Sequence, residues 1–459
     1  MSKKISTKQL IIFWVIAIPL LMAWYVFLQW KSEPEKMVNA AYSTSKVLPL
    51  GDAYNTGLEL AHYVLQKDDV ERTFLILLQN NMELRPGGGY IGSFAIVKVK
   101  NGEVIDSAVH DTANFDGRIP DVIEPPFPMQ ETMHIPSWKF RDSNWMPDFP
   151  TNARVAEKFY TLGGGEEEFD GVIAVNATIL DTILDITGPI TLSGYPETFK
   201  SGEAIMTLEY QVEQGYRKQD IEKGDRKVIM DILVKELAQR IKEMSIKEKF
   251  LLVNNFLHSF ESKDIQLYFD DTQMKQLIEA VDWDGAIDED WDKDYLMVVD
   301  ANLASYKTDH FVERSIDYDI DLSGNIPQAV LTIHYQNTAT QKDWKTNDYQ
   351  TYLRVYAPGD TWFTDIDNCI LKPQYGDKYG KKYVGCLVHV PLGTRKDVVI
   401  RYNLPLNLKN QYPYDLKIQK QSGVHNIPVQ VHVHNPGTEF QNEYSFVMDK
   451  DIILSELGN

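Results

Sequence analysis

The sequence predicts an α/β layered (α-β-α) extracytoplasmic domain followed by a C-terminal all-β sandwich, with one transmembrane helix ahead of both. Three observations predict it. An uncharged apolar run fills Leu10 to Leu28; strand-length apolar runs alternate with helical segments from about Asp69 to Leu303; and from about Ser305 seven alternating runs follow one another with turn residues between them and no helix of any length. The expected divisions are a cytoplasmic tail over 1–9, a transmembrane helix over 10–30, a juxtamembrane helical stalk over 31–68, an α/β domain over 69–304 and a β-sandwich over 305–459.

The first element is "LIIFWVIAIPLLMAWYVFL", which at 1.5 Å per helical residue spans roughly 28 Å, about one hydrocarbon core. Lys3, Lys4 and Lys8 precede it, and Trp14, Trp24, Tyr25 and Trp30 stand where interfacial aromatics belong. The positive-inside rule then puts the N-terminus in the cytoplasm and the bulk of the chain outside a cell membrane, crossed in a single pass. The run is long for a cleaved signal peptide and no small-x-small site follows it cleanly, so a retained signal anchor is expected.

Composition narrows the function. A net charge of −20 and a pI near 5.0 argue against nucleic acid as a partner, which ordinarily meets a basic face. A phosphate-bearing ligand would need locally clustered arginines or a divalent cation. The two cysteines, Cys369 and Cys386, are an even pair compatible with one disulfide in an oxidising compartment or with two reduced thiols.

Along the chain, Leu58, Ala61, His62 and Leu65 recur at helical spacing, and "RTFLILLQ" from Arg72 is a buried-strand run. Asn101-Gly102 between "GSFAIVKVK" and "EVIDSAVH" predicts a hairpin. The proline-rich stretch Arg118 to Pro150 reads as a long loop ending in the aromatic segment "WKFRDSNWMPDFP", after which a helix capped by Asp148 or Thr151 should run to Gly163-Gly164-Gly165. "FDGVIAVN" is a further strand, residues 201–260 are mostly helical, and "YLMVVDANL" closes the α/β region as a strand after the acidic turn Asp282 to Asp294, expected to be solvated.

Three clusters could carry chemistry. In "LQNNMELRPGGGYIGSF" the loop is no Walker A, because no Gly-Lys-Ser/Thr follows, and no dinucleotide fingerprint, because a strand follows where a helix should. It is either a bulged turn needing positive φ at Gly87, Gly88 and Gly89 or an anion nest with Arg85 supplying charge. Asp111, with Thr112, Asn114 and Asp116 near it, is either a self-satisfied turn or a Mg²⁺ ligand beyond a strand end. Arg226 sits in phase with Ile229, Leu233 and Leu237, so it should face partly inward, towards Glu222 or towards a bound phosphate. Asp142 and Asn144, in the aromatic loop, suit an amphipathic ligand such as a sugar or lipid head group, or belong to a clamp over the sheet edge. Nucleophile-elbow and HExxH patterns are missing from the sequence.

Taken together, "LLQNNMELRPGGGYIGSF", "RDSNWMPDFP", "FDGVIAVN", "DITGPI" and "VVDANLASYKTDHFVER" resemble the bacterial membrane-anchored family known as domain of unknown function 4012. More remotely, the order of elements is similar to the LytR-CpsA-Psr family. That resemblance implies an anchored phosphotransferase moving glycopolymer from a polyprenyl-pyrophosphate lipid to peptidoglycan. Under it, Arg85 matches the first loop's arginine, Asp111-Thr112 the family's Arg-Asp-Thr with His110 in place of the Arg, and Arg226 an arginine of the helical motif. Two functions follow as expectations. In one, Arg85, the Gly87 to Gly89 amides, Asn144 and Arg226 hold a polyprenyl pyrophosphate, Asp111 holds Mg²⁺, and Asp142 deprotonates the acceptor in cell-envelope glycopolymer assembly. In the other, the protein is a non-catalytic surface scaffold or adhesion protein.

Overall fold

In the computed structural model, residues 51–222, 226, 228–410, 414–434 and 441–457 are described. The expected tail, transmembrane helix and first part of the stalk therefore lie outside the described residues; among those that are described, no helix is long and apolar enough to cross a membrane. The described chain forms a mixed α/β N-terminal region and a largely β C-terminal region of several sheets. It groups into two compact units, each threaded more than once by the chain.

The first unit takes the chain to Gln79, then Ile91–Arg118 and Glu157–Asp284. Its five-stranded mixed sheet is built on β1 (Glu71–Arg85), β2 (Gly88–Lys100), β3 (Glu103–Asp111), β4 (Gly171–Asn176) and β7 (Ile265–Phe269), in the order β3-β2-β1-β4-β7. A separate two-stranded ribbon joins β5 (Ile190–Thr191) to β6 (Thr198–Phe199). β1 runs parallel to β4 from Phe74 opposite Gly171 to Gln79 opposite Asn176, while β2/β3 and β4/β7 pair antiparallel. The β2/β3 turn falls at Asn101 and Gly102, both at positive φ, as the Asn-Gly pair predicts. Every residue of β4 is buried, which suits a central strand with both faces covered. Phe74, Ile76, Ala95, Val97, Ile173, Val175 and Leu267 face one core, filled from the helices Asp52–Leu65, Ile179–Thr187, Val228–Glu243 and Ile246–Glu261. Phe94, of opposite phase in β2, instead meets Phe115 and Tyr160 edge-on.

One expected boundary differs here. The helix Asp52–Leu65, expected in a stalk, buries Thr56, Gly57, Leu60, Ala61 and Val64 and joins this core. Of the four positions whose spacing announced it, only Ala61 is buried, because the buried face is turned to include Gly57 and Leu60.

The second unit comprises Asn80–Tyr90, Ile119–Ala156 and Gly285–Asn459. One of its six-stranded sheets contains β8 (Asp294–Val299), β11 (Tyr349–Pro358), β13 (Gln374–Lys378), β14 (Lys381–Val390), β16 (Tyr414–Gln419) and β19 (Ile452–Leu457), in the order β13-β14-β11-β8-β16-β19. The other contains β9 (Val312–Asp321), β10 (Gln328–Asn337), β12 (Trp362–Ile366), β15 (Arg395–Asn403), β17 (Ile427–His434) and β18 (Gln441–Met448), in the order β12-β15-β10-β9-β17-β18. The alternation read in "VQVHVHNP" is visible in β17, where Val429, Val431 and Val433 are buried between more exposed neighbours. Residues of both sheets, such as Leu353 and Val384 from one and Leu331 and Val398 from the other, share one apolar cluster.

The sequence places "YLMVVDANL" as the strand that closes the α/β region, and the structure differs. The strand is β8, pairing antiparallel with β11 and parallel with β16. A buried apolar strand can complete either kind of sheet, so its sequence alone does not choose. The acidic turn before it also differs from expectation, since Asp284 and Asp294 are buried. Cys369 and Cys386 are joined by a disulfide.

Candidate functional site

Pro86 and Gly87 turn the chain from β1 into β2, and Gly88 has φ 129, a conformation open to glycine. Of the three glycines it is the one at positive φ; the other two are required by close approach rather than by backbone angle. A Cβ on Gly89 would stand 2.1 Å from the carbonyl carbon of Asn80, and one on Gly87 2.3 Å from Asn152 Nδ2.

The loop's polar groups are engaged within the second unit. Arg85 Nε donates to Asp142 Oδ1 at 2.7 Å, and its Nη1 donates to the carbonyls of Leu84 and Asn302 at 3.2 and 3.1 Å. Glu83 lies 3.5 Å from Nη2, and the guanidinium sits over the Tyr90 ring. Arg85 and Asp142 are 1% and 2% exposed. Burial pulls the Arg85 pKa down, but the adjoining Asp142 and Glu83 carboxylates outweigh it and hold the group charged. Gly87 N–H donates to the Asn144 carbonyl at 3.0 Å, and Asn144 Nδ2 donates back to the Gly89 carbonyl at 2.7 Å. The loop is thus laced to the aromatic segment 140–146 by reciprocal backbone and side-chain bonds.

Further along the chain, residues that sequence reasoning did not single out complete the network. Gln421 Nε2 donates to the carbonyls of Arg85 and Asp300, and Asp309 Oδ2 accepts from Leu84 N–H and Asn302 Nδ2. Arg314 then joins Asp300 to Asp309 through Nε and Nη2, at 2.9 and 2.6 Å. The available signal was the stretch "VVDANLASYKTDHFVER", quoted for its family resemblance, which contains Asp300, Asn302, Asp309 and Arg314.

The remaining candidates belong to the first unit. Asp111 caps the short helix Thr112–Asp116, accepting from Asn114 N–H at 3.1 Å. His110 beside it stacks on Phe94, and burial, with Arg118 nearby, pulls its pKa down. Arg226 lies 3.7 Å from Glu213, not Glu222, with both side chains partly exposed. Among the described residues, no group of three or more His, Cys, Asp or Glu side chains is arranged to hold a metal ion. The structure therefore brings Arg85, Gly87, Gly88, Gly89, Asp142 and Asn144 into one buried cluster within the second unit, while Asp111 and Arg226 have separate partners in the first.

Residues 69–212 match the family described as Protein of unknown function (DUF4012). Comparison with curated proteins finds no match. Among solved structures, the Lin1025 protein from Listeria innocua is similar over 47% of this chain and 78% of its own, with 14% identity and a TM-score of 0.23.

Proposed function

We propose that this chain is a non-catalytic scaffold protein, anchored in a cell membrane by residues 10–30 and displaying its two units on the extracytoplasmic side. We read the first unit as an α-β-α layer and the second as a β-sandwich that presents its outer faces to partners. The observation that supports this reading is the engagement of Arg85 by Asp142 and two carbonyls, with both charged side chains buried. A phosphate approaching Arg85 would have to displace a charge-assisted bond already made and enter a site closed to water. Gly87 N–H, needed for an anion nest, is likewise spent on Asn144.

The competing reading, a phosphotransferase binding polyprenyl pyrophosphate with Mg²⁺ in glycopolymer assembly, draws support from the partly exposed Arg226, whose ion pair with Glu213 is long. Titration of the purified full-length chain with polyprenyl pyrophosphate, with and without Mg²⁺, separates the two. The scaffold reading expects no saturable binding. Saturable, Mg²⁺-dependent binding that Arg226→Ala abolishes would overturn it.

A further inference from the structure

Arg354 lies on β11, out of phase with Leu353 and Val355, which fill the core shared by the two large sheets. On this outer face it stands opposite Gly385 of β14, which in turn stands opposite Gln374 of β13. Arg354 is 4% exposed, yet its bonds are poor for a buried guanidinium. Nη2 donates to the Trp145 carbonyl at 2.7 Å, Nη1 reaches the Tyr356 hydroxyl only at 3.5 Å, and Nε meets no acceptor. The guanidinium lies 5.3 Å from the Trp145 ring and 5.8 Å from the Tyr352 ring.

A second cation shares the neighbourhood. Lys378 Nζ lies 3.3 Å from Met146 Sδ and over the Tyr379 ring. Burial pulls its pKa down, as does the charge of Arg354, and Asp148 opposes both. Asp148 is the carboxylate nearest in effect, but it is directed at its own segment and at Ile287: Oδ2 accepts from Thr151 N–H and Oγ1, and Oδ1 accepts from Ile287 N–H. Among the described residues, neither Arg354 nor Lys378 forms an ion pair. The cluster is therefore rich in donors and short of acceptors, an arrangement that is costly to bury without a partner.

We infer that this cluster is a binding site for an oxyanion carried on a sugar ring, either the carboxylate of a uronic acid or the phosphate of a sugar phosphate. Arg354 forms the floor and supplies Nε, and Lys378, half-buried, supplies the second positive charge at the rim. The half-buried Tyr379 and Tyr383 give the rim an apolar ring surface, which suits a sugar face, although the Tyr379 hydroxyl already donates to Thr151 Oγ1 at 3.3 Å. The site lies within the second unit and is independent of the Arg85 cluster and of the scaffold reading.

The test is calorimetric titration and thermal melting of the purified full-length chain at constant ionic strength, with glucuronate, glucose 1-phosphate, glucose and chloride. Wild type should bind one or both acids saturably and melt higher in their presence, and the acid that binds identifies the oxyanion. Glucose and chloride should have no effect. Lys378→Gln and Arg354→Met should each lose at least about tenfold in affinity, the scale of one charge-assisted bond. Arg354→Met leaves the Trp145 carbonyl without its donor and should melt somewhat lower than ligand-free wild type, so its affinity is read well below its own melting temperature. Absence of binding by both acids, an equal effect of glucose, or retention of binding by Lys378→Gln overturns the proposal.

Discussion

Arg85 Nε donates to Asp142 Oδ1 at 2.7 Å across 57 positions of sequence, and both side chains are buried. The arginine beside the glycine turn is therefore neutralised by the aromatic loop, and the turn's amide at Gly87 is bonded to that loop as well. A glycine-rich segment with an adjacent arginine has the composition of an anion site; here the same composition ties a hairpin tip to the body of its unit.

The glycines of the turn differ in what they require, and substitution should separate them from ordinary turn glycines. Gly89→Ala places a Cβ 2.1 Å from the Asn80 carbonyl carbon, so backbone must move, and a loss of at least about 3 kcal/mol is expected. Gly164 has φ +80 with nothing within 4 Å of a built Cβ, so Gly164→Ala should cost only about 1–2 kcal/mol of backbone strain. Urea denaturation of the two variants measures the contrast; equal losses would contradict the close-approach account.

Asp294 should make the second unit's stability depend on pH. Burial raises its pKa to about 6 from the ordinary 3.8, against the lowering effect of hydrogen bonds from Tyr414, Tyr318 and Tyr295 N–H. Because the folded value is the higher one, the protonated carboxyl favours folding. The contribution is full below about pH 4 and is lost as pH rises through about 6, roughly 3 kcal/mol in all. Asp294→Asn cannot ionise, so the stability difference between wild type and this variant, followed by denaturation from pH 4 to 8, should fall across that window and then level off. A flat difference would place the ionisation of Asp294 elsewhere.

The Cys369–Cys386 disulfide closes a loop with a sequence separation of 17, which in the chain-entropy account is worth about 3 kcal/mol. Unreduced protein should therefore take up no thiol-alkylating reagent, and the Cys369→Ala/Cys386→Ala double variant should lose stability of about that size. Alkylation of both residues without prior reduction would show the thiols free and contradict the pairing.

How far the sequence carried can be judged from particular elements. Asn101-Gly102 announced its hairpin because both residues accept the positive φ that such a turn needs. Asp148 announced a helix start, and its side chain caps the helix Phe149–Leu162. By contrast, the sequence of β8 reads equally well as part of the preceding α/β region, because a buried apolar strand does not encode its pairing partners. Leu58 and Leu65 suggested the wrong face of the first helix, since Gly57 and Thr56 carry no apolar signal yet are buried. The candidate site was half legible. Arg85 and its glycines stood out locally, but the role of Asp142 depends on a contact 57 residues away in a loop with no periodic pattern. Arg354 and Lys378 were not singled out, because each sits in an ordinary strand and only the pairing of β11, β14 and β13 joins them on one face.

The central claim is that Arg85 serves the fold, and a double-mutant cycle between Arg85→Met and Asp142→Leu tests it most directly. Each single change leaves one buried charge without its partner and should cost about 3–5 kcal/mol by urea denaturation. The double variant should cost no more than either single change, giving a coupling of at least about 3 kcal/mol. Single variants that lose little stability, with losses that simply add in the double variant, would contradict the account and leave Arg85 free to hold a ligand.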